Sequence, residues 1–368
     1  MKNFFLRLTF CIAAAGLAVS AQGALLFMGA YPSSLLVFDE AKGAIVDRIP
    51  LSTGLPTSIR LSQDKKTIYV VTNDHTGIEV VDVATRKVTN HFVLNTPTRH
   101  FRMNGATPDP TGKWLYTMST EIDKLVDHYE MGKQKYTIID LAGQKIAKTF
   151  DLAKEEEEGS RGGGGGRGGF EISTDGKYLY SFGQQVVVLD SSDFKVVDRI
   201  DLAKPDLPGL ENVGFGGALD SIGEPGHHIS LFNASDPYVH NRVFGIGDFD
   251  LQTRKYNFTP IGPSPAGMTG LHVTPDKKDA YTVVSNGVLG NKRCEFWHFD
   301  LATDKVTGRS EFDCRSRFSF GMSADGKKLY IYGAGFEIQV FDAKTMKYEK
   351  TWDLNNDVTG AGLIEITE

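Results

Sequence analysis

The sequence predicts an all-β fold, a seven-bladed β-propeller, from two repeated patterns. The first is a tight turn followed by an apolar strand, and it occurs at residues 62–71, 110–116, 174–180, 275–281 and 323–332. Its turn residues suit a sharp chain reversal, and the residues that follow suit a pleated, half-buried strand. The second is an apolar run that ends in an aspartate, with copies at Asp39, Asp82, Asp140, Asp190, Asp250, Asp300 and Asp342. A four-stranded unit repeated every ~40–50 residues is typical of propeller blades, so seven aspartates predict seven blades.

Blade one contains predicted strands at 25–30, 34–39 and 44–51, with no turn phrase before them. The apolar segment 362–367 has the right length for the missing inner strand, so we expect it to pair with 25–30 and close the ring. Closure would remove the exposed strand edges that invite aggregation. The other blades are predicted at about 57–94, 100–152, 169–202, 213–261, 268–312 and 317–354.

The N-terminus has the pattern of a secretory signal. Lys2 and Arg7 precede an apolar core at 8–19 that is too short to span a bilayer, and small residues follow it. We therefore expect a signal peptide at 1–23 and a mature propeller domain at 24–368, located in the periplasm or secreted. Within that domain, the Glu- and Gly-rich residues 155–169 have too little apolar surface to order themselves, which predicts a flexible insertion.

Charge and cysteine content narrow the function. A net charge of -6 argues against nucleic-acid binding, which needs a basic surface. Cys294 begins one predicted strand and Cys314 follows the next, so in an oxidising compartment a disulfide is predicted, with two buried thiols as the alternative. No cysteine pair has metal-site spacing. His227 and His228 are adjacent on a strand and would point to opposite faces, so no metal site is predicted.

One face of the propeller is the candidate working face, because the long connections share it: 120–135, 155–169, 203–212, 233–241 and 286–293. The best constellation there is Asp127, His128, Tyr129 and Glu130, which would face a partner or a substrate, or would pack locally as an ordinary loop. Weaker partner- or substrate-facing candidates are Asn73, His75, Tyr238 and His240. No nucleophile elbow, Ser/His/Asp set or HExxH motif is recognisable, so no catalytic residue is predicted on this chain.

Two segments carry a family resemblance. Residues Tyr69–Asn73 (YVVTN) resemble the YVTN-type repeat of exported propellers. The run Lys124–Glu130, followed by Tyr136–Asp140, resembles the third-blade region of the quinohemoprotein amine dehydrogenase β subunit, with Val126 in place of an Asn. The resemblance implies a non-catalytic periplasmic subunit without a cofactor of its own. The haem and the quinone cofactor would belong to partners, a diheme cytochrome chain and a small quinone-bearing chain. The propeller would dock these chains and wall the substrate pocket.

Two other functions stay open at this point. The chain could be a stand-alone exported YVTN-type binding or surface propeller, and the acidic, Gly-rich insertion departs from the amine dehydrogenase pattern. It could also be a lactonase-like hydrolase or lyase, which would need His and carboxylate side chains converging at the mouth of the central channel. The loop histidines that could serve are His75, His128 and His240. An apolar, aromatic-rich working face would favour the docking subunit, and a charged face without apolar patches would favour the stand-alone propeller.

Overall fold

The computed structural model describes most of the chain from residue 24 onward. The described residues are 24–72, 76–152, 169–183, 185–202, 211–218, 226–235, 242–265, 267–287, 289–303, 305–315, 317–333, 335–358 and 362–367. The predicted signal peptide (1–23) and residues 155–168 of the predicted insertion lie outside these ranges.

The described residues form twenty-eight strands, numbered here in chain order. The first fifteen are β1 (Leu25–Ala30), β2 (Ser34–Asp39), β3 (Ala44–Pro50), β4 (Pro56–Leu61), β5 (Thr67–Thr72), β6 (Gly77–Asp82), β7 (Lys87–Val93), β8 (Arg99–Pro108), β9 (Trp114–Lys124), β10 (Tyr129–Asp140), β11 (Lys145–Asp151), β12 (Glu171–Ile172), β13 (Tyr178–Ser181), β14 (Gln185–Asp190) and β15 (Val196–Asp201). The others are β16 (Glu211–Ala218), β17 (His227–Ser235), β18 (Arg242–Asp250), β19 (Tyr256–Pro263), β20 (Met268–Val273), β21 (Asp279–Asn286), β22 (Arg293–Asp300), β23 (Lys305–Phe312), β24 (Ser319–Met322), β25 (Lys328–Tyr332), β26 (Glu337–Asp342), β27 (Lys347–Asp353) and β28 (Leu363–Ile366).

These strands form seven antiparallel four-stranded sheets, the blades of a propeller. Six blades use four consecutive strands, starting with β4–β7 and ending with β24–β27. The blade at the seam has the order β28-β1-β2-β3, and Leu25 of β1 pairs with Ile366 of β28. The predicted fold class and ring closure are therefore confirmed. In the described part of the chain, the helical structure is one 3₁₀ turn at Leu289–Asn291, and no helix there has the length and hydrophobicity of a membrane span.

The two repeated sequence patterns form two kinds of turn at the same ends of the blades. In the turn between the first and second strands, Asp325 accepts a hydrogen bond from the Ser323 hydroxyl at 2.7 Å, and Gly326 has a φ of 70°. In the turn between the third and fourth strands, the Asp342 carboxylate accepts the Thr345 N–H at 2.8 Å. This hydrogen bonding lowers the pKa of Asp342. We call this end of the propeller the turn face and the opposite end the loop face.

Tyrosines in the repeated phrase connect neighbouring blades near the turn face. The Tyr180 hydroxyl of blade four donates to the Leu251 carbonyl of blade five at 2.5 Å. The Tyr330 hydroxyl of blade seven donates to the Glu40 carboxylate of blade one, and the same carboxylate accepts the Ala24 N–H at 3.1 Å. Burial raises the pKa of Tyr330 and also that of Glu40. The seam is thus held by a side-chain contact as well as by the β28–β1 ladder.

The structure corrects one prediction on the loop face. Residues 120–135 are not a loop between short strands, because β9 continues to Lys124 and β10 begins at Tyr129. Residues 120–123 are half-buried and residues 124–133 are exposed, so neither strand has the fully buried face that would make apolar and polar residues alternate. The connection is reduced to residues 125–128.

Cys294 and Cys314 are joined by a disulfide bond, with Cα atoms 5.1 Å apart. Cys294 is buried in the core of blades six and seven, on β22, and Cys314 lies two residues beyond the end of the neighbouring β23. This is the strand arrangement from which the pairing was predicted.

Candidate docking face

A β-hairpin extends from blade three on the loop face. The outer strand β11 pairs only with Lys135–Asp140 of β10, whereas β9 also pairs with the segment of β10 that starts at Tyr129. Residues 129–134 therefore reach past the outer strand by roughly 20 Å, at about 3.3 Å per residue. Every residue from 124 to 133 is exposed. The extension projects into solvent beyond the end of the outer strand β11.

The extension is cross-linked to the inner strand β8 close to its tip. Arg99 at the start of β8 lies opposite Asp123 of β9 and donates to both carboxylate oxygens, at 2.6 and 3.1 Å. The third guanidinium nitrogen, Nη1, lies 3.1 Å from the Glu121 carboxylate. The hydrogen bonds with Arg99 lower the pKa of Asp123, and those with Asp123 raise the pKa of Arg99. Bidentate arginine–carboxylate pairs fix geometry in two directions, so the hairpin is held at a defined angle to the blade.

Further hydrogen bonds stabilise the hairpin and the neighbouring strand β8. The Lys124 N–H donates to the Thr98 carbonyl at 2.8 Å, and the Phe101 N–H donates to the Asn95 side chain at 2.7 Å. The buried hydroxyls of Ser119 and Thr137 bond across β9 and β10 at 2.7 Å. A surface supported in this way is already ordered before anything binds to it, which reduces the entropy lost on binding.

The tip of the hairpin combines the predicted residues with apolar neighbours. Asp127 and His128 occupy the turn, where His128 Nδ1 lies 2.7 Å from Asp127 Oδ1, and Tyr129 and Glu130 are the first residues of β10. The turn is closed by the Leu125 N–H, which donates to the His128 carbonyl at 2.9 Å. All four predicted residues are exposed and adjacent.

Leu125, Val126 and Met131 were not among the predicted site residues, yet they form an apolar surface with Tyr129. Val126 is fully exposed, and the side chains of Tyr129 and Met131 are 67% and 70% exposed. Their sequence signal is weak, since single apolar residues in a polar stretch are common. Tyr and Met are enriched at protein interfaces, and a cluster of them without cover is unusual on a soluble surface.

The hairpin tip belongs to a wider distribution of exposed apolar side chains. The described residues include eleven large apolar side chains that are exposed, and eight lie at the loop-face end of a blade: Tyr31, Leu55, Val93, Leu125, Val126, Tyr129, Met131 and Phe336. These eight lie on blades seven, one, two and three, which are neighbours in the ring. The other three, Val196, Val197 and Tyr348, lie near the start of an outer strand, close to the turn face.

The seam fixes two of these side chains relative to each other. The Tyr31 N–H donates to the Asp357 carbonyl at 2.9 Å, and the Leu354 N–H donates to the Phe336 carbonyl at 2.7 Å. The turns that carry Tyr31 of blade one and Phe336 of blade seven are therefore both attached to segment 354–358. Two exposed aromatic rings are held on one short stretch of chain at the edge of the loop face.

Four predicted partner- or substrate-facing residues, Asn73, His75, Tyr238 and His240, lie outside the described residues. His227 and His228 diverge as predicted. His227 lies at the surface, 2.9 Å from Asp248, and His228 is buried against Phe182 with ring centroids 3.6 Å apart. In the described residues, no group of three or more His, Cys, Asp and Glu side chains could hold a metal ion.

The structure also brings together a carboxylate, an imidazole and a hydroxyl that sequence reasoning missed. His298 Nε2 lies 2.6 Å from Asp279 Oδ1, and His298 Nδ1 lies 2.9 Å from the Thr307 hydroxyl. The same order of groups occurs in hydrolases. Here the three residues lie on the adjacent strands β21, β22 and β23, and the imidazole stacks on Tyr281 at 4.8 Å. Thr307 is exposed on the outermost strand. The two hydrogen bonds of His298 therefore connect three strands of blade six. Only strand register could have revealed it, since the residues are distant in sequence.

Comparison with known proteins supports the fold. No family model and no curated protein matches the sequence. Among solved structures, dihydro-heme d1 dehydrogenase NirN in complex with DHE is similar at 14% identity and a TM-score of 0.52, covering 93% of this chain and 75% of that one. A functionally unknown protein from Desulfotomaculum acetoxidans is similar at 12% identity and a TM-score of 0.52, covering 93% and 98% of the two chains. Hydrazine synthase from Kuenenia stuttgartiensis is similar at 17% identity and a TM-score of 0.45, covering 78% and 77%. The two similarities with a TM-score of 0.52 support a shared fold.

Proposed function

We propose that this chain is a docking propeller, the non-catalytic subunit of an exported, amine dehydrogenase-like redox complex. The observation that carries the proposal is the blade-three hairpin, which presents Val126, Tyr129 and Met131 to solvent on a cross-linked support. The same segment carries the resemblance to the amine dehydrogenase β subunit. Fold alone does not assign function, so the proposal rests on the exposed apolar surface of the hairpin.

The energetics of the surface fit protein docking. Exposed apolar area gains about 25 cal/mol per Å² when it leaves water. Aromatic side chains that are rigid and already positioned are the residues most often found at binding hot spots. The polar groups of Asp127, His128 and Glu130 surround the apolar tip and can supply the hydrogen-bonding rim that interfaces use. The arrangement favours a docking subunit over a propeller that works alone with a charged surface.

In the proposed complex, the redox chemistry belongs to the partners. A diheme cytochrome chain would hold the haem groups, and a small chain would hold the quinone cofactor. The propeller would bind both chains through its loop face, and the hairpin would form part of the wall of the substrate pocket. Residues 1–23 would direct export to the periplasm and be removed there.

The proposal is tested by capture of the native complex. The full-length chain with a C-terminal tag is expressed in its native cells, and the processed protein is purified from a periplasmic extract. We expect it to retain a haem polypeptide, identified by its pyridine haemochrome spectrum, and to show amine-dependent dye reduction. The Val126→Ser/Tyr129→Ala variant should lose both signals. A chain that purifies alone, with neither haem nor amine oxidation, would contradict the proposal.

A matched control separates docking from general surface hydrophobicity. Val197 is exposed on β15 near the turn face, at 47%, and its replacement by serine removes a comparable apolar group outside the hairpin. Val197→Ser should keep the haem polypeptide at the wild-type ratio. Equal loss in Val126→Ser/Tyr129→Ala and Val197→Ser would show that the hairpin is not the docking element.

A further inference from the structure

A cleft opens between blades three and four at the turn face, away from the hairpin. Its volume is about 340 Å³, at the small end of the range of about 300–1,000 Å³ for ligand sites. Its lining includes the buried side chains of Tyr116 and Ile138. Trp114 on β9 and Ala147 on β11 belong to blade three, and Ser191 and Ser192 come from the turn after Asp190 in blade four.

The polar groups of the cleft are fixed by bonds to the scaffold. The Ser191 hydroxyl donates to the Gly176 carbonyl at 2.7 Å, and the Ser192 hydroxyl donates to Asp190 at 2.6 Å. The buried Asp109 carboxylate accepts both the Thr111 N–H, at 3.0 Å, and the Thr111 hydroxyl at Oδ2. The two serine oxygens keep lone pairs for a further hydrogen bond, and Asp109 keeps its Oδ1. The cleft therefore offers several pre-positioned hydrogen-bond acceptors in a small space.

The aromatic residue of the cleft, Trp114, can contact the C–H groups of a ligand. Trp114 is half-buried, with the Lys113 ammonium 4.6 Å from the ring centroid. The negative face of an indole attracts weakly positive C–H groups. One negative group, Asp109, and one positive group, Lys148, line the cleft, so its formal charge is zero. A charged ligand would leave one of these two groups facing a like charge.

We propose that this cleft binds a neutral sugar of one or two rings. A sugar presents C–H groups on its ring face and hydroxyls on its rim, and the hydroxyls act as donors and acceptors. The ring face would lie on Trp114, and the hydroxyls would bond to Ser191, Ser192 and Asp109. This site is independent of the proposed docking function, because it lies on the opposite face and in another part of the blade.

Tryptophan fluorescence of the mature chain provides the test. Trp297 and Trp352 are buried, whereas Trp114 is half-buried at the cleft, so Trp114 is the reporter. The probes are glucose, galactose, mannose, N-acetylglucosamine and maltose, with glucosamine and glucuronate as charged comparisons. We expect a saturable change with at least one neutral sugar, confirmed by calorimetry. The Trp114→Ala variant should weaken calorimetric binding by about tenfold or more.

Two further variants keep the test decisive. Ala147→Arg fills the cleft from an exposed position on β11 and should abolish binding without unfolding the protein. Lys350→Ala removes the cation over the buried Trp352 ring, 4.8 Å from its centroid, and should bind sugar as the wild type does. Absence of saturable binding at ~10 mM of every neutral sugar, tighter binding of glucosamine than of glucose, or unchanged binding in Ala147→Arg would each overturn the proposal.

Discussion

The two faces of this propeller are built in opposite ways. On the turn face, the same residues recur in blade after blade, and several of them bond to a backbone or side-chain partner, as Asp342 bonds to Thr345 and Tyr330 to Glu40. On the loop face, blade three carries a hairpin that reaches past its outer strand, and its tip residues Val126 and Tyr129 face solvent. The repeated residues hold the ring together, and the residues that break the repeat are available for binding. Changes on the turn face and at the seam should therefore alter stability, and changes at the hairpin tip should alter binding.

The largest expected effect is at the seam. Deletion of residues 362–368 removes β28, which leaves β1 of blade one as an unpaired inner edge. An open ring with an exposed edge should aggregate or lose cooperative unfolding. Thermal unfolding and size-exclusion chromatography measure this. A control that removes only residues 367–368 keeps the whole β28 strand and should unfold as the wild type does. Unchanged melting after the longer deletion would show that the other blades hold the ring alone.

The second effect is a pH-dependent loss of stability that is caused by a histidine buried inside a blade. Burial lowers the pKa of His228 from 6.5 to about 4, so the unfolded chain binds a proton more readily than the folded chain between these values. The stability from neutral His228 is full above pH 6.5 and is lost as the pH falls towards 4. We expect a loss of about 2 kcal/mol between pH 7 and pH 5.

Chemical unfolding of two histidine variants at both pH values checks this. His228→Phe keeps a ring against Phe182 and should show a smaller loss than the wild type. His128→Ala changes an exposed histidine at the hairpin tip and should keep the full loss. The same pH dependence in His228→Phe and in the wild type would show that other groups cause it.

The third effect concerns the tyrosine contact across the seam. Tyr330→Phe removes the hydroxyl that donates to Glu40 and leaves a largely buried carboxylate with one hydrogen bond fewer. The expected cost in the free energy of unfolding is about 1–2 kcal/mol. Tyr348→Phe is the matched control, since its hydroxyl lies 3.0 Å from Thr351 at an exposed site, and should change stability by less than about 0.5 kcal/mol. Equal effects of the two substitutions would contradict a stabilising role for the seam contact.

The difference between the turn face and the loop face also explains which features can be predicted from the sequence. The turn phrases require particular residues, such as a glycine or lysine with positive φ at Gly326 and Lys65. Because those requirements repeat along the chain, the sequence predicts seven blades. The blade that lacks a turn phrase predicts the closing strand. The sequence does not reveal the hairpin, because residues 120–123 are only half-buried and residues 124–133 are exposed, so no fully buried face imposes a pattern. Asp127–Glu130 were found through composition and resemblance, whereas the apolar character of the tip depends on exposure, which only the structure shows.

The central claim is that docking and stability are separable in this chain. Its most direct test compares two variants, Val126→Ser/Tyr129→Ala/Met131→Ser at the hairpin tip and Tyr330→Phe at the seam. Both are measured by chemical unfolding and by binding of the proposed haem-bearing partner. We expect the tip variant to keep the free energy of unfolding within about 0.5 kcal/mol and to lose the partner. The seam variant should lose stability and bind normally while folded. A tip variant that loses several kcal/mol of stability, or binds the partner as tightly as the wild type does, would contradict the claim.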